Sequence, residues 1–431
     1  MLNKFIWTAS KLSIATLIAV GSMLSVGSFA QDNEYVEEVV SIGTRGKPRS
    51  VSSSPVPVDV LSAEDISKTG TDDLLMQLQG SIPSLNVHLQ PISDAASMIR
   101  PANLRGLSAD STLITTNGKR RHHASVIAFQ GGGVNDGSQG ADISVIPAIA
   151  LKRVEVLRDG ASAQYGSDAI AGVINFVLDD ISEGGSLSYK MGEYTEGDGA
   201  TTTIAGKYGL PLGQDGFVTT SFQIRQADDT SRSLQRPDAA ALIAAGNTAV
   251  ANPAQVWGAP KIDDDVTFFM NAGVTNSDGS ESYMFGNYSE RDVDGGFYYR
   301  NPDGRSGVFT IGDYRAVGNV DGTCAYGTGA SGQVDPSNYA TRDAIMADPS
   351  CFLMNEIAPG GYTPRFVGTI TDTSFTTGRR GEITDGFLSG YSFDVSGSVG
   401  RNEADFGLNN TVNPSMGPDT PRNFTTGSYI E

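Results

Sequence analysis

From Ile181 onward the chain repeatedly alternates apolar and polar residues with period two. In "SLSYKMG" Leu187, Tyr189 and Met191 alternate with Ser186, Ser188 and Lys190. In "DVTFFMNAGV" Val266, Phe268, Met270, Ala272 and Val274 alternate with Thr267, Asn271 and Gly273, and in "GYSFDVSGSVG" Tyr391, Phe393, Val395 and Val399 alternate with Ser392, Asp394, Ser396 and Ser398. Successive side chains of a strand point to opposite faces, so this is the pattern of strands with one apolar face. A soluble sandwich turns that face to a core, whereas an outer-membrane barrel turns it to lipid and keeps small polar residues in the lumen. Three features favour the barrel: the polar set is rich in Ser, Gly and Asp; Tyr and Phe stand near expected strand ends in "GGFYYR" and "GNYSER"; and short turns such as Leu212 to Gly216 alternate with long segments, Asp229 to Asp264 and Asn301 to Pro364. Such segments are too long for ordinary sandwich connections.

The N-terminus says how such a chain reaches a membrane. Lys4 and Lys11 precede "LSIATLIAVGSMLSVGSFA", which ends in Ser28-Phe29-Ala30, so residues 1–30 read as a secretory signal with the mature chain starting at Gln31. A spanning helix needs about 20 apolar residues, and here Gly21, Ser22, Ser25, Gly27 and Ser28 interrupt the run. No later stretch approaches that length, and the mean hydropathy is -0.18. Export without a helical anchor leaves the periplasm, the medium, or an outer membrane entered by strands. Cys324 and Cys351 suit a loop disulfide in an oxidising compartment, the other reading being two unpaired thiols. A net charge of -19 argues against nucleic acid as a partner.

Residues 31–55 carry "EYVEEVVSIGTRGKPRSVSSSP" without a helical stripe and with Pro48 and Pro55 as breakers, an extended tail with one sticky patch, Val39-Val40-Ser41-Ile42. Residues 56–180 differ: the strand-like runs VPVDVL, STLITT, RVEVL and GVINFVL alternate with candidate helices, as in a compact mixed α/β module. "SAEDISKTGTDDLLMQLQG" carries two helix starts, Ser62 with Asp65 and Thr71 with Asp-Asp-Leu-Leu, closed by Gly80.

The run "LKRVEVLRDGASAQYGSDAIAGVINFVL", Leu151 to Leu178, spaces Gly160, Gly166 and Gly172 six apart. It is not a phosphate loop. A Walker loop needs Lys and Ser or Thr after its last glycine, but Gly166 is followed by Ser167-Asp168, and Asp168 would repel phosphate; the G-x-G-x-x-G spacing is missing too. What remains is strand, compact turn, strand, with glycines available for positive φ or close backbone approach. Glu155 and Arg158 need partners if buried, and Arg105 in "NLRGL" is the nearest comparable candidate. The histidines are His88, His122 and His123, the last two adjoining "GKRR"; adjacent residues of a strand face opposite ways and share a metal poorly. No G-x-S-x-G elbow accompanies a positioned His and Asp. No catalytic residue, metal or cofactor is expected.

These residues resemble the TonB-dependent receptors of Gram-negative outer membranes. "EEVVSIGTR" is similar to a TonB box; "LRGL" (Leu104 to Leu107), "LITTNG" (Leu113 to Gly118) and the long run to Leu178 are similar to the family's plug, the last most specifically. The family's second block usually ends in Asp-Gly, and Asn117-Gly118 stands there instead. The resemblance implies a mixed α/β plug (56–180) followed by a transmembrane antiparallel β-barrel (181–431). It implies energised uptake, without bond-making, of a ferric siderophore or other chelate, cobalamin, an oligosaccharide or a peptide. Its expected partners are TonB with the inner-membrane energising complex, outer-membrane lipid and an extracellular ligand. Glu37, Glu38, Val39, Val40, Ser41, Ile42, Gly43 and Thr44 would add as a strand to TonB. Arg105, Glu155 and Arg158 would tie the plug together and to the barrel wall, with Gly106, Gly118, Gly160, Gly166 and Gly172 as its turn and packing glycines. Lys119 to Asp142 would lie at the outer apex, where Arg120, Arg121, His122 and His123 face an anionic or polyhydroxyl ligand. Gln31 to Val56 is too short for a periplasmic signalling domain or a further β-domain. The strands come about every 25 to 40 residues, roughly eight in all, where the family's barrel has around 22; much of the barrel is therefore expected beyond Glu431. The alternative is a binding-only outer-membrane protein or a non-functional truncated receptor.

Overall fold

In a computed structural model of the chain the described residues are 39–40, 42, 49–50, 57–71, 73–87, 92, 98–100, 102–128, 133–327, 332–414 and 427–430. The expected signal, residues 1–30, and His88 lie outside them.

The plug module holds a five-stranded sheet of β1 (Val58–Ser62), β2 (Thr112–Thr116), β3 (Lys119–Arg120), β4 (Leu151–Leu157) and β5 (Gly172–Leu178), in the order β1-β4-β5-β2-β3. β2 and β5 run parallel; the other neighbours are antiparallel. The runs "RVEVL" and "GVINFVL" read as nearly continuous apolar β-formers because both faces of the sheet are covered: Val154, Val156, Val173, Ile174 and Phe176 are fully buried. Part of that cover comes from two helices, α1 (Ala63–Ser67) and α2 (Leu74–Ser81). The Ser62 hydroxyl accepts the Asp65 N–H at 3.1 Å, the expected cap. The second helix starts at Asp73, not Thr71: the Asp73 carboxylate accepts the Met76 N–H at 3.3 Å, while Thr71 accepts the Asp73 N–H at 3.2 Å, one step outside. Gly80 does not end α2, which closes where the Ile82 N–H returns to the Leu78 carbonyl at 2.8 Å. Leu75 and Leu78 lose all exposure on this helix, each burial contributing about 1.5–3 kcal/mol.

Eight antiparallel strands follow, each hydrogen-bonded to the next in chain order: β6 (Gly185–Gly192), β7 (Thr201–Pro211), β8 (Gly216–Ala227), β9 (Lys261–Thr275), β10 (Glu281–Gly296), β11 (Arg365–Glu382), β12 (Ser392–Thr411) and β13 (Gly427–Ile430). Among the described residues this wall is an open sheet edged by β6 and β13, part of a barrel and not a closed one. Its inner face carries Asp265, Thr267, Asn271, Asn287, Ser289 and Arg291, all buried. Its outer face exposes apolar residues in cross-strand rows, Phe222 opposite Phe268 opposite Tyr288, and Ile224 opposite Val266. Contiguous apolar rows outside, with polar residues inside, are what a lipid-facing strand shows.

Short hairpin turns close one end of the wall and long excursions the other, as expected. The excursions have cores of their own. α3 (Pro237–Ala244) buries Ala239 and Leu242 against Tyr299, and α4 (Tyr339–Ala347) buries Ile345 beside a disulfide that joins Cys324 to Cys351. One expectation fails at this end. The aromatics of "GGFYYR" do not face lipid: Phe297 and Tyr299 are 8% and 7% exposed, because the chain leaves β10 at Gly296 and turns inward, where Phe297 stacks on Phe366 at 5.9 Å. Tyr288 of "GNYSER" does point outward, but it stands in the middle of β10 and not near a strand end.

Candidate functional site

Ahead of the plug, Val39–Val40 pairs antiparallel with Arg49–Ser50. Ile42 is 3% exposed and packs against Val58, Leu113, Leu157 and Val173. Of the segment expected to contact TonB, Glu37, Glu38, Ser41, Gly43 and Thr44 lie outside the described residues. The sticky patch is thus docked at Ile42, a burial worth about 1.5–3 kcal/mol that must be given up before the segment extends elsewhere.

Arg105, Glu155 and Arg158 do not share a site. Glu155 is fully buried and accepts from Arg153 Nε at 2.9 Å, Arg153 Nη2 at 2.7 Å and Asn175 Nδ2 at 3.1 Å. Asn175 Oδ1 in turn accepts from Thr115 Oγ1 at 2.9 Å and the Gly118 N–H at 2.8 Å, so the network knits β4 to β5 and β2. Arg158, an odd number of residues further along, belongs to the opposite face and donates through Nη2 to Asp59 Oδ1 at 2.9 Å. Arg105, in a left-handed turn at φ 58°, is exposed and lies 3.6 Å from Asp159. Of the turn glycines, Gly106, Gly118 and Gly166 take positive φ and Gly160 does not. Gly172 is the most constrained: at φ +150° a Cβ would stand 2.1 Å from the Leu157 carbonyl oxygen and 2.8 Å from Leu104 Cδ2.

Of the four basic residues expected to face a ligand, Arg120, Arg121 and His122 lie against carboxylates of the chain itself. Arg120 pairs with Asp168 and donates to the Tyr165 carbonyl at 2.9 Å, both within the plug. Arg121 is 6% exposed and donates to Asp372 Oδ1 on β11 at 2.6 Å and to Asn287 Oδ1 on β10 at 3.4 Å. His122 Nε2 lies 2.8 Å from the other Asp372 oxygen, which also accepts from Asn402 Nδ2 at 2.9 Å. His123 is exposed. Above them Met98, Ile99 and Ala124 pack on Val293, Phe297, Phe366 and Ile370 of the wall and its loop.

A second buried contact runs the other way. Arg291 of β10, 5% exposed, reaches into the plug to donate to Ser144 Oγ at 2.7 Å and the Met98 carbonyl at 3.1 Å, with Asp142 Oδ2 at 3.7 Å. Beside it lies a small polar cavity lined by Asp73, Ser144, Gln223, Arg225, Asp265 and Arg291. Burial pushes the Asp73 carboxyl up, but Arg100 beside it and Arg225 across the cavity hold it below its ordinary 3.8. Further ties are Lys119 to Asp394 at 2.8 Å and Lys207 to Asp179. Among the described residues no group of three His, Cys, Asp or Glu is placed to hold a metal ion.

Asp372, Arg291 and Asp142 escaped sequence reasoning. The available signal was a charge on an inward register position of a strand, but nothing in spacing joins Arg121 to a carboxylate 251 residues away. Removing one partner from such a buried pair costs about 3–5 kcal/mol. The arrangement seats one body against another.

Residues 50–173 match the TonB-dependent receptor plug domain family. The iron-regulated outer membrane virulence protein of Vibrio cholerae is 28% identical over 165 residues, 38% of this chain and 23% of that protein. The ferric enterobactin receptor PirA of Pseudomonas aeruginosa is 29% identical over 175 residues, again 38% and 23%. A solved structure of the ferric enterobactin receptor PfeA from Pseudomonas aeruginosa superposes with a TM-score of 0.43 at 15% identity, over 82% of this chain and 46% of that one. The chain therefore spans about a quarter of the length of the curated relatives it matches and about half of the solved receptor. Residues 50–173 thus carry the plug domain of the TonB-dependent receptors, and an antiparallel wall with a polar-lined inner face, open among the described residues, follows it.

Proposed function

We propose that this receptor takes up a scarce solute, a ferric chelate in the first place, across the outer membrane of a Gram-negative bacterium, and that TonB supplies the energy by pulling on the segment Glu37 to Thr44. The reading involves no catalysis. The observation that carries it is the seating of the plug on the wall by a few buried, directional contacts, Arg121 with Asp372 and Arg291 with Ser144. Such contacts hold firmly at rest yet can be exchanged for water when the plug is drawn aside. The docking of Ile42 supports a segment that must be released before it pairs with another chain, where backbone bonds of an added strand would supply the grip. The iron-related names of the relatives support the ligand class.

The test is deletion of Glu37 to Thr44 in the complete receptor, with binding and energised uptake of radiolabelled ferric enterobactin measured on cells. Uptake should vanish while surface binding stays. Unchanged uptake would contradict the role of the segment, and absence of binding in the undeleted receptor would exclude this chelate class.

A further inference from the structure

The covalent junction between plug and wall, Leu178 to Ile181, is held by side chains from both bodies. The Leu178 N–H donates to Asn117 Oδ1 at 2.9 Å. Asn117 Nδ2 donates to Asn271 Oδ1 on wall strand β9 at 3.2 Å, and Asn271 Nδ2 donates to the Asp179 carbonyl at 2.9 Å. The Asp179 N–H donates to the Ala150 carbonyl at 2.9 Å, its carboxylate pairs with Lys207 of β7, and the Ile181 carbonyl accepts from Thr219 Oγ1 of β8 at 2.8 Å. Asn117 occupies the left-handed turn after β2 at φ 48°, and the following Gly118 N–H joins the buried Asn175–Glu155 network.

We infer that Asn117 and Asn271 clamp the plug-to-wall junction between them, keep the plug seated at rest, and require an amide at position 117. Each amide uses its two ends for different partners: Asn117 accepts from the junction and donates to the wall, while Asn271 accepts from the plug and donates to the junction. An aspartate at 117 would still accept from Leu178 but could not donate to Asn271. Turning the Asn271 amide to compensate would set its oxygen against the Asp179 carbonyl, so the loss cannot be repaired locally. Asn117-Gly118 is thus matched to Asn271. The inference rests on reading the module as the plug of a barrel, but not on which solute is carried.

The test is a double-mutant cycle in the complete receptor reconstituted in liposomes, reading the passive leak of calcein without TonB or chelate. Asn117→Asp should raise the leak roughly five-fold, the factor one lost hydrogen bond is worth, and Asn271→Ala by at least as much. The double variant should leak no more than Asn271→Ala alone, because both remove the same bond. As a control, Ile174→Val weakens the plug interior away from the junction, and its effect should multiply with that of Asn271→Ala. If Asn117→Asp fails to assemble, Asn117→Gly keeps the left-handed turn and must combine with Asn271→Ala to less than the product. An unchanged leak in Asn117→Asp, or a double variant equal to the product of the singles, would overturn the clamp. Neither result depends on energised uptake, so the clamp can fail while the transport reading stands, and the reverse.

Discussion

Ile174 and Phe176 lose all exposure inside the plug among apolar neighbours, whereas Arg121, Asp372, Arg291 and Asp142 lose nearly all of theirs at the contact between plug and wall. Apolar burial is non-directional and spread over many residues, so it holds a body together through small displacements. Ion pairs and amide bonds are directional and few, and water can replace them once the surfaces part. A module cohesive within and seated in part by such polar pairs can shift as a unit, giving up those pairs together with the smaller apolar contact that Met98, Ile99 and Ala124 make with Val293, Phe297, Phe366 and Ile370.

The sharpest way to break this contrast is from the inside. Gly172→Val should cost more than about 4 kcal/mol, because its Cβ meets the Leu157 carbonyl and Leu104 at a backbone angle that side chains resist. The plug should become protease-sensitive throughout while the wall stays folded, as limited digestion of the purified receptor would show. Asp372→Ala attacks the rim: it leaves Arg121 buried without its carboxylate, at about 3–5 kcal/mol. Its signature is a plug intact but loosely held, read as raised reactivity of a cysteine placed at Ser125, which now bonds Asn402.

Acid should weaken the same rim more gently. The folded-state value of Asp73 lies below its ordinary 3.8, so the stabilisation its ionised form contributes is complete above that value and disappears as pH falls through the lower one. The melting midpoint of the plug should therefore drop on acidification below about pH 4, and Asp73→Asn should flatten that part of the profile. The smallest effect belongs to Arg105→Ala. Its pair with Asp159 is exposed at both ends, so a loss within about 1 kcal/mol is expected, and a larger one in a melting experiment would restore Arg105 as a true clamp.

The contrast also separates what could be read from the sequence from what could not. Period-two alternation exposed the wall strands, and continuous apolar runs exposed β4 and β5, because each pattern follows from how many faces of a strand are buried. Ser62 was legible as a cap because its partner is three residues away. Arg121 and Asp372 were not: the basic run "KRRHH" looked like a ligand-facing surface, and only the fold brings Asp372, Asn287 and Asn402 against it. Glu155 and Arg158 showed a need for partners, but strand geometry sent them to opposite faces and to Arg153 and Asp59, which separates the expected clamp. Phe297 and Tyr299 misled for a related reason, since a loop core close to a strand end has the same composition as an aromatic girdle.

The claim that plug and wall are distinct cohesive bodies held together by buried polar pairs at their rim is tested most directly by hydrogen exchange on the complete receptor carrying both Asp372→Ala and Arg291→Ala. Faster exchange is expected at the rim, residues 121–126 and 142–146, with β4 and β5 as protected as in the unaltered protein. Loss of protection in β4 and β5 in step with the rim would contradict it.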